Sequence, residues 1–466
     1  MVFSSLTFLL VFLPLVLLLY YISKNRVLRN IILFIFSLIF YSWGEPVYVL
    51  LLLASIIINY SFGLFIDKFR GTRKTKCFFI ILIIFNITLL GFFKYVNFII
   101  ENFNLIFSLR LESLNLALPI GISFYTFQIL SYIIDLYRNK IKVQRNILSL
   151  GLYVTLFPKL ILGPIVRYST IEHELINRQE TLDNFVAGLR RFLLGLTKKV
   201  LIANQVSHIV SALSEQGIEN LDVTFSWLML IAFAIQIYFD FSGYSDMAIG
   251  LGKMFGFNFT ENFNYPYISN SITDFWRRWH ISLSSWFRDY VYIPLGGNRV
   301  KQPQWIFNLF TVWTLTGLWH GASWNFVLWG MYWFVFLLLE KKMFLKILDK
   351  LPKLFQWIYA TFFILIGWAI FMTDTNNPLD ILAAIKGLFG AYNENCYITF
   401  WDLDMATKIP FLVLGIIFSF PFKKYLDKFF DGKWMLAYDT ILIAQFALCI
   451  FFLMVDSYNP FLYFRF

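Results

Sequence analysis

The chain has 466 residues, of which 59% are hydrophobic, 21% aromatic and only 14% charged, with a formal net charge of +11. So little charge among so much apolar residue excludes a water-soluble globular domain and describes an all-α polytopic membrane protein. The positive balance does not describe a nucleic-acid binder, because Lys and Arg fall in short clusters between apolar runs rather than along one polar face.

A membrane span needs about 20 apolar residues, and the first candidate helices fall near 5–23, 30–44, 46–66, 77–98 and 116–137. The first run has the length of a signal sequence but lacks a basic n-region. Lys24 and Arg26 follow it in place of a small-residue cleavage site, so it is expected to be a retained span with the N-terminus outside. Between the runs lie Lys24, Arg26 and Arg29, then Lys68, Arg70, Arg73, Lys74 and Lys76, then Arg138, Lys140, Lys142 and Arg145. Such clusters favour the cytoplasmic side.

Later candidates fall near 200–214, 223–252, 304–319, 324–340, 355–373, 408–422 and 436–456, for about 11–13 membrane helices in a single domain over 1–466. Cytoplasmic loops are expected at Lys341, Lys342, Lys346, Lys350 and Lys353 and at Lys423, Lys424, Lys428 and Lys433, which leaves 374–408 and the C-terminus outside. Two stretches, 157–199 and 261–299, are too polar or too broken for ordinary spans. Irregular backbone at membrane depth survives where it is buried in protein or lines a wet cavity, so both read as re-entrant or cytosol-facing segments lining a funnel.

Chemistry narrows to a few side chains. Cys77, Cys396 and Cys449 have no paired spacing, and no metal-binding, phosphate-loop or nucleophile-elbow motif is present, so no metal is expected. Of the four histidines, His173 lies in a polar loop run and His208 on a helix as a structural residue. His320 stands between Gly317 and Gly321 at the apex joining two apolar arms. The arm from Trp305 covers about 22 Å of a core roughly 30 Å thick, which places the imidazole inside the membrane. An ionisable residue there reads as functional, and a general base is the expectation, against hydrogen bonding for packing alone. His280 reads as a supporting or cavity-lining residue. Arg277, Arg278 and Arg288 suit carrier phosphates, because guanidinium forks match phosphate oxygens, and they equally suit the positive-inside bias. Asp240 and Asp246 form a polar break with two readings, proton handling or hydrogen bonding within the wall.

Several segments together resemble the membrane-bound O-acyltransferases, in the bacterial branch of alginate and peptidoglycan O-acetyltransferases. They are Phe40-Tyr41-Ser42-Trp43-Gly44-Glu45-Pro46, the runs 119–128, 157–165 and 238–246, Asp274 to His280 with Tyr292 to Asn298, and Trp319-His320-Gly321-Ala322. The resemblance implies a helical core crossed by a tunnel, with acetyl-CoA entering from the cytoplasm as donor. It also implies His320 as the catalytic histidine, His280 as the second family histidine, and placement in the bacterial inner membrane among its lipids. The final glycan is expected to be peptidoglycan, with alginate or another exopolysaccharide as the alternative. The aromatic tail over 457–466 resembles the acyl-transfer motif of the small protein beside the teichoic acid D-alanylation transporter. By that resemblance Tyr463 takes acetyl and hands it to a periplasmic SGNH-type acetyltransferase partner; the other reading is an interfacial anchor. A solute transporter working through the polar breaks is the alternative of a different class.

Overall fold

The computed structural model describes residues 1–114, 116–217, 220–373, 378–390, 405–422, 435–455 and 462, and every regular element among them is helical. Five described helices are long and apolar enough to cross a membrane, namely Tyr48–Lys68, Arg73–Phe107, Val223–Met254, Lys353–Met372 and Met435–Val455. The chain forms two compact units, Met1–Phe192 with Tyr244–Thr260, and Leu193–Gly243 with Glu261–Phe466.

The first unit holds α1 (Leu13–Ile22), α2 (Arg26–Ser42), α3 (Tyr48–Lys68), α4 (Arg73–Phe107), α5 (Ile122–Tyr137) and α6 (Ile147–Thr155). Asn25 starts α2 and Asn146 starts α6 by accepting backbone N–H bonds from the first turn, which satisfies donors that a helix start leaves open. Asn59 on α3 and Asn86 on α4 are both buried and exchange amide hydrogen bonds at 2.8 and 3.2 Å, joining two otherwise apolar surfaces. Glu180 collects Arg26, Arg29, Arg178 and the Tyr20 hydroxyl around one carboxylate, an ionic cluster that ties the start of α2 to the segment before the next helix.

That next helix, α7 (Leu182–Thr197), is a regular element within the stretch 157–199 that the sequence marks as too polar or too broken for an ordinary span. Only the first part of that stretch is irregular, made of the helical turns Phe157–Leu160, Tyr168–Ile171 and Glu174–Asn177. Counting charges hid an amphipathic helix whose polar side is partnered, since Arg191 pairs with Asp246 at 2.7 Å. The helix does not stop at residue 199 either. It runs through a π-helical turn, Lys198–Ala203, into α8 (Asn204–Glu215).

Of α9 (Val223–Met254), the residues up to Gly243 belong to the second unit, which continues with the short α10 (Ile272–Arg278) and α11 (Ile281–Phe287), then α12 (Gln302–His320), α13 (Trp324–Leu339) and α14 (Lys353–Met372). Its described remainder is α15 (Pro378–Gly387), α16 (Ile409–Phe418) and α17 (Met435–Val455). The stretch 261–299 is as interrupted as expected, with no element longer than seven residues. Among the described residues four π-helical stretches occur, Phe8–Phe12, Lys198–Ala203, Arg288–Tyr292 and Glu340–Phe344.

α12 and α13 form a tight antiparallel hairpin because glycines meet where they cross. A Cβ added to Gly317 would lie 2.4 Å from the Phe326 carbonyl oxygen, and one added to Gly330 would lie 2.4 Å from that of Trp313. Small residues at such a crossing let backbones approach in the way membrane helices associate without a hydrophobic driving force.

Candidate active site

His320 is the last residue of α12 and is 3% exposed. Its ring stands edge-on to Trp329 at 4.8 Å, Trp319 at 5.0 Å and Phe371 at 5.4 Å, so α12, α13 and α14 each contribute a wall. The turn that carries it admits no larger residue at 321: the backbone there is extended, but a Cβ would come within 2.1 Å of the Phe326 ring. Beyond it the Ser323 hydroxyl donates to Asn325 Oδ1, and the buried Asn325 amide donates to the Phe371 carbonyl at 3.3 Å. The histidine is therefore fixed from both sides of the apex. α12 begins at Gln302, ahead of Trp305, and its 19 residues rise about 28 Å, nearly a full core thickness. Packing among aromatic rings buries His320 at the end of this arm.

His280 lies between α10 and α11 with a left-handed backbone, φ 44°, unusual for a residue other than Gly and Asn. It is 1% exposed, and its ring meets Phe241 at 4.7 Å and Trp319 at 5.7 Å, so the two histidines share Trp319 as a neighbour. Its Nδ1 is 3.1 Å from Asn262 Oδ1. That oxygen also accepts from the Ser282 backbone N–H at 3.2 Å and the Ser282 hydroxyl at 2.9 Å, so it is an acceptor and Nδ1 carries the proton. Nε2 is then the lone-pair nitrogen, buried with no hydrogen-bond partner among the described residues. Backbone pairing of Ile281 N–H with Asn262 at 2.9 Å and of Asn264 N–H with Arg278 at 3.0 Å holds the whole arm.

Two cavities adjoin this arm. The inner one, about 180 Å³, is lined by Trp276, Arg277, Ser284, Trp313, Thr316 and Lys341 among others. The outer one, about 670 Å³, is lined by Arg288, Tyr292, Asn298, Trp305 and Lys341 among others. Lys341 belongs to both, and burial together with the charge of Arg277 lowers its pKa below the ordinary ammonium value. Two cations brought together under partial burial create a place that favours an anion. From the inner cavity the aromatic wall is continuous: Trp276 meets Trp313 at 4.7 Å and Trp329 at 5.6 Å, and Trp329 meets His320.

Of the arginines singled out in the sequence, Arg277 and Arg288 line these cavities, whereas Arg278 is turned to Asp274 at 3.0 Å and to the Asn264 carbonyl. Arg288 also bonds Asp289 at 2.7 Å. Asp240 has the basic partner its own helix lacks, Lys199, at 2.7 Å with both side chains buried. The two aspartates of the polar break are therefore separately ion-paired. Asp240 additionally accepts the Leu462 backbone N–H at 2.9 Å. Tyr463 and Cys396 lie outside the described residues. Among the described residues no cluster of His, Cys, Asp or Glu could hold a metal ion.

Sequence reasoning missed Lys341, Glu340 and Asn262. Lys341 was visible only as one of several lysines marking a loop. Glu340 is a fully buried carboxylate that accepts the Ile272 and Thr273 backbone N–H groups, each at 2.7 Å, and the Thr273 hydroxyl. An acidic residue ending a long apolar run was the only available signal.

A family model described as MBOAT, membrane-bound O-acyltransferase family, matches residues 79–373, which contain both histidines and both cavities but not the tail. A protein of Azotobacter vinelandii named probable alginate O-acetylase AlgI is 40% identical over 90% of this chain and 83% of its own length. A peptidoglycan O-acetyltransferase of Helicobacter pylori is 33% identical over 100% of this chain and 98% of its own. A teichoic acid D-alanyltransferase of Bacillus subtilis is 31% identical over 47% of this chain and 58% of its own.

Proposed function

The chain belongs to the membrane-bound O-acyltransferase family, and on that premise we propose that it takes acetyl from cytosolic acetyl-CoA and passes it through the inner membrane to an extracytoplasmic acceptor. Membership makes the protein a multi-pass membrane acyltransferase and removes the solute-transporter reading, which needs no acyl donor. The observation that carries the donor assignment is the pair of cavities joined at Lys341. Arg288 and Lys341 face the phosphate end of a carrier, Arg277 follows, and the tryptophan wall runs on from Trp276 through Trp329 to His320.

An acyl thioester is already activated, so the protein must align it and remove a proton from the attacking hydroxyl. A neutral imidazole suits that step near pH 7. His320 takes the hydroxyl proton as the oxygen attacks the acetyl carbonyl. The carbon–sulfur bond then breaks, and the departing CoA sulfur receives the proton from the imidazolium. His280, held as the Nδ1–H tautomer by Asn262, supports the same chamber.

The first acceptor in this reading is Tyr463, which becomes an acetyl ester and returns to the free hydroxyl when a serine of a periplasmic SGNH-type partner takes the acetyl group. The bond from Leu462 to Asp240 supports it, since the residue preceding Tyr463 is held in the same compact unit as His280 and His320. The partner's product is an O-acetylated cell-surface glycan. Peptidoglycan is supported by the match to the Helicobacter relative, and an alginate-like exopolysaccharide by the higher identity of the Azotobacter relative and by a probable alginate O-acetylase of Pseudomonas putida that also matches end to end.

The test is transfer of labelled acetyl from acetyl-CoA in reconstituted membranes containing the partner. His320→Ala should lower transfer by about 10²–10⁴-fold, the usual weight of a positioned acid–base group; full transfer by that variant refutes the assignment. Mass analysis of the C-terminal peptide decides Tyr463, with absence of label in the wild type and in partner-free membranes leaving the anchor reading. Ester analysis of muropeptides and of exopolysaccharide from a strain lacking the protein decides the glycan.

A further inference from the structure

We propose that α10 is a strut pinned at its two ends by residues with separate tasks, and that Glu340 is a positioning residue for the donor phosphates rather than for the acetyl-transfer chemistry. The proposal rests on acetyl-CoA being the donor.

The N-terminal pin is Glu340. Its carboxylate is buried and takes the two backbone N–H groups that open α10, those of Ile272 and Thr273, at 2.7 Å each, together with the Thr273 hydroxyl. The first turn of a helix has open donors and a partial positive charge, so a carboxylate there is held strongly and holds the helix in turn. Ser271 accepts the Asp274 N–H at 3.0 Å, so part of the same turn is capped from within the chain and Glu340 is not its sole cap. What Glu340 adds is a tie to another element, the π-helical turn Glu340–Phe344. The next residue on that turn is Lys341, which lines both cavities, and α10 carries Arg277, which lines the inner one. Glu340 therefore fixes the spacing of Lys341 and Arg277, two cations that repel each other and that no single element would keep together.

The C-terminal pin is the segment of Asn262 and Asn264. The Asn264 N–H donates to the carbonyl of Arg278, the last residue of α10, at 3.0 Å. Just beyond the helix Asn262 holds His280 through Nδ1 and accepts the Ile281 N–H at its backbone carbonyl, and none of these bonds involves Glu340. Loss of one pin therefore leaves the other end of the strut anchored. Glu340 acts on the binding of a phosphate-bearing carrier, and Asn262 acts on the turnover of whatever thioester is bound.

The experiment compares acetyl-CoA with S-acetyl-N-acetylcysteamine, a thioester that lacks the phosphates, in the reconstituted transfer assay. Glu340→Gln keeps one acceptor oxygen and loses the charge. It should raise KM for acetyl-CoA by about tenfold, leave kcat within about twofold, and leave kcat/KM for the truncated thioester within about twofold. Asn262→Leu should lower kcat at least tenfold with either donor. Thr273→Val, which removes only the hydroxyl bond, should repeat the Glu340 pattern more weakly and serves if Glu340→Gln does not fold. Equal losses with both donors for Glu340→Gln, or a fall in its kcat with unchanged KM, would overturn the proposal by making Glu340 a general structural support. The donor reading is checked apart from this by wild-type binding of CoA: a wild type that does not bind CoA sinks the donor assignment, whereas one that binds CoA while Glu340→Gln shows no donor-dependent split sinks only the strut.

Discussion

The crossing of α12 and α13 makes Gly317→Ala a severe substitution for one methyl group. The new Cβ would sit 2.4 Å from the Phe326 carbonyl oxygen and 3.3 Å from Gly330 Cα. Carbon–oxygen contacts settle at about 3.3 Å, so the hairpin must open by roughly 0.9 Å at this point. The obstacle is backbone on a helix, which cannot rotate away as a side-chain tip would. Overpacking of this kind costs about 1–3 kcal/mol. Because His320 lies on the same helix one turn further on, a displacement of about an ångström is expected to cost on the order of 10²-fold in turnover even where the protein still folds. Thermal unfolding in detergent followed by tryptophan fluorescence reads the first effect, and labelled-acetyl transfer reads the second. Gly91→Ala is the control, since nothing lies within 4 Å of a Cβ placed there on α4. Wild-type stability and turnover in Gly317→Ala would refute the argument that this crossing sets the position of the histidine.

Three further outcomes follow from the charged groups. Lys341→Ala should raise KM for acetyl-CoA about tenfold, equivalent to about 1.4 kcal/mol, with Arg288→Ala acting in the same direction and both measured as initial rates of CoA release. Lys199→Met leaves Asp240 buried without its partner and should destabilise by about 3–5 kcal/mol, whereas Lys199→Met with Asp240→Leu should recover most of that loss in the same unfolding assay. Glu180 gives a pH dependence: burial works against its charge, but Arg26 and Tyr20 bring its pKa down to about 2 from the ordinary 4.5. A depressed carboxyl contributes stability that is present above pH 4.5 and is lost as pH falls toward 2. The melting temperature should drop across that window, and Glu180→Gln should be less stable at pH 7 with a flatter profile below pH 4.5.

What was legible in the sequence depended on whether a residue's cost or its partner defined it. His320 stood out because an imidazole at the apex of two apolar arms is conspicuous without knowing its neighbours, and the stretch that carries Trp276 to His280 stood out because it is too polar and too broken for an ordinary span. The start of α12 was not legible to the residue: the apolar run begins at Trp305, whereas the helix starts at Gln302. Asp240 was ambiguous for a different reason: its partner Lys199 is on another helix, and no spacing along one helix reveals a pairing across two. Lys341 carried the same charge and context as the topology-marking lysines beside it, so only the cavity lining distinguishes it. The helix Leu182–Thr197 was obscured because charge content was weighed without asking which face the charges occupy, and Arg191 already had Asp246 to face.

The π-helical turns have a consequence for how this chain can diverge. A π turn is an α-helix that has accepted one extra residue, and each α-helical residue advances the side chain by about 100° around the axis. Lys199, Arg288 and the Glu340–Lys341 pair all sit in such turns. Removing a single residue from such a turn would return it to a regular α-helical turn and leave everything downstream on its original face, whereas the same deletion in a regular α-helical stretch swings the downstream residues by about 100°. One-residue deletions at these places should therefore cost little beyond the side chain that is lost, whereas one-residue deletions in the flanking α-helical turns should disrupt packing along the whole helix.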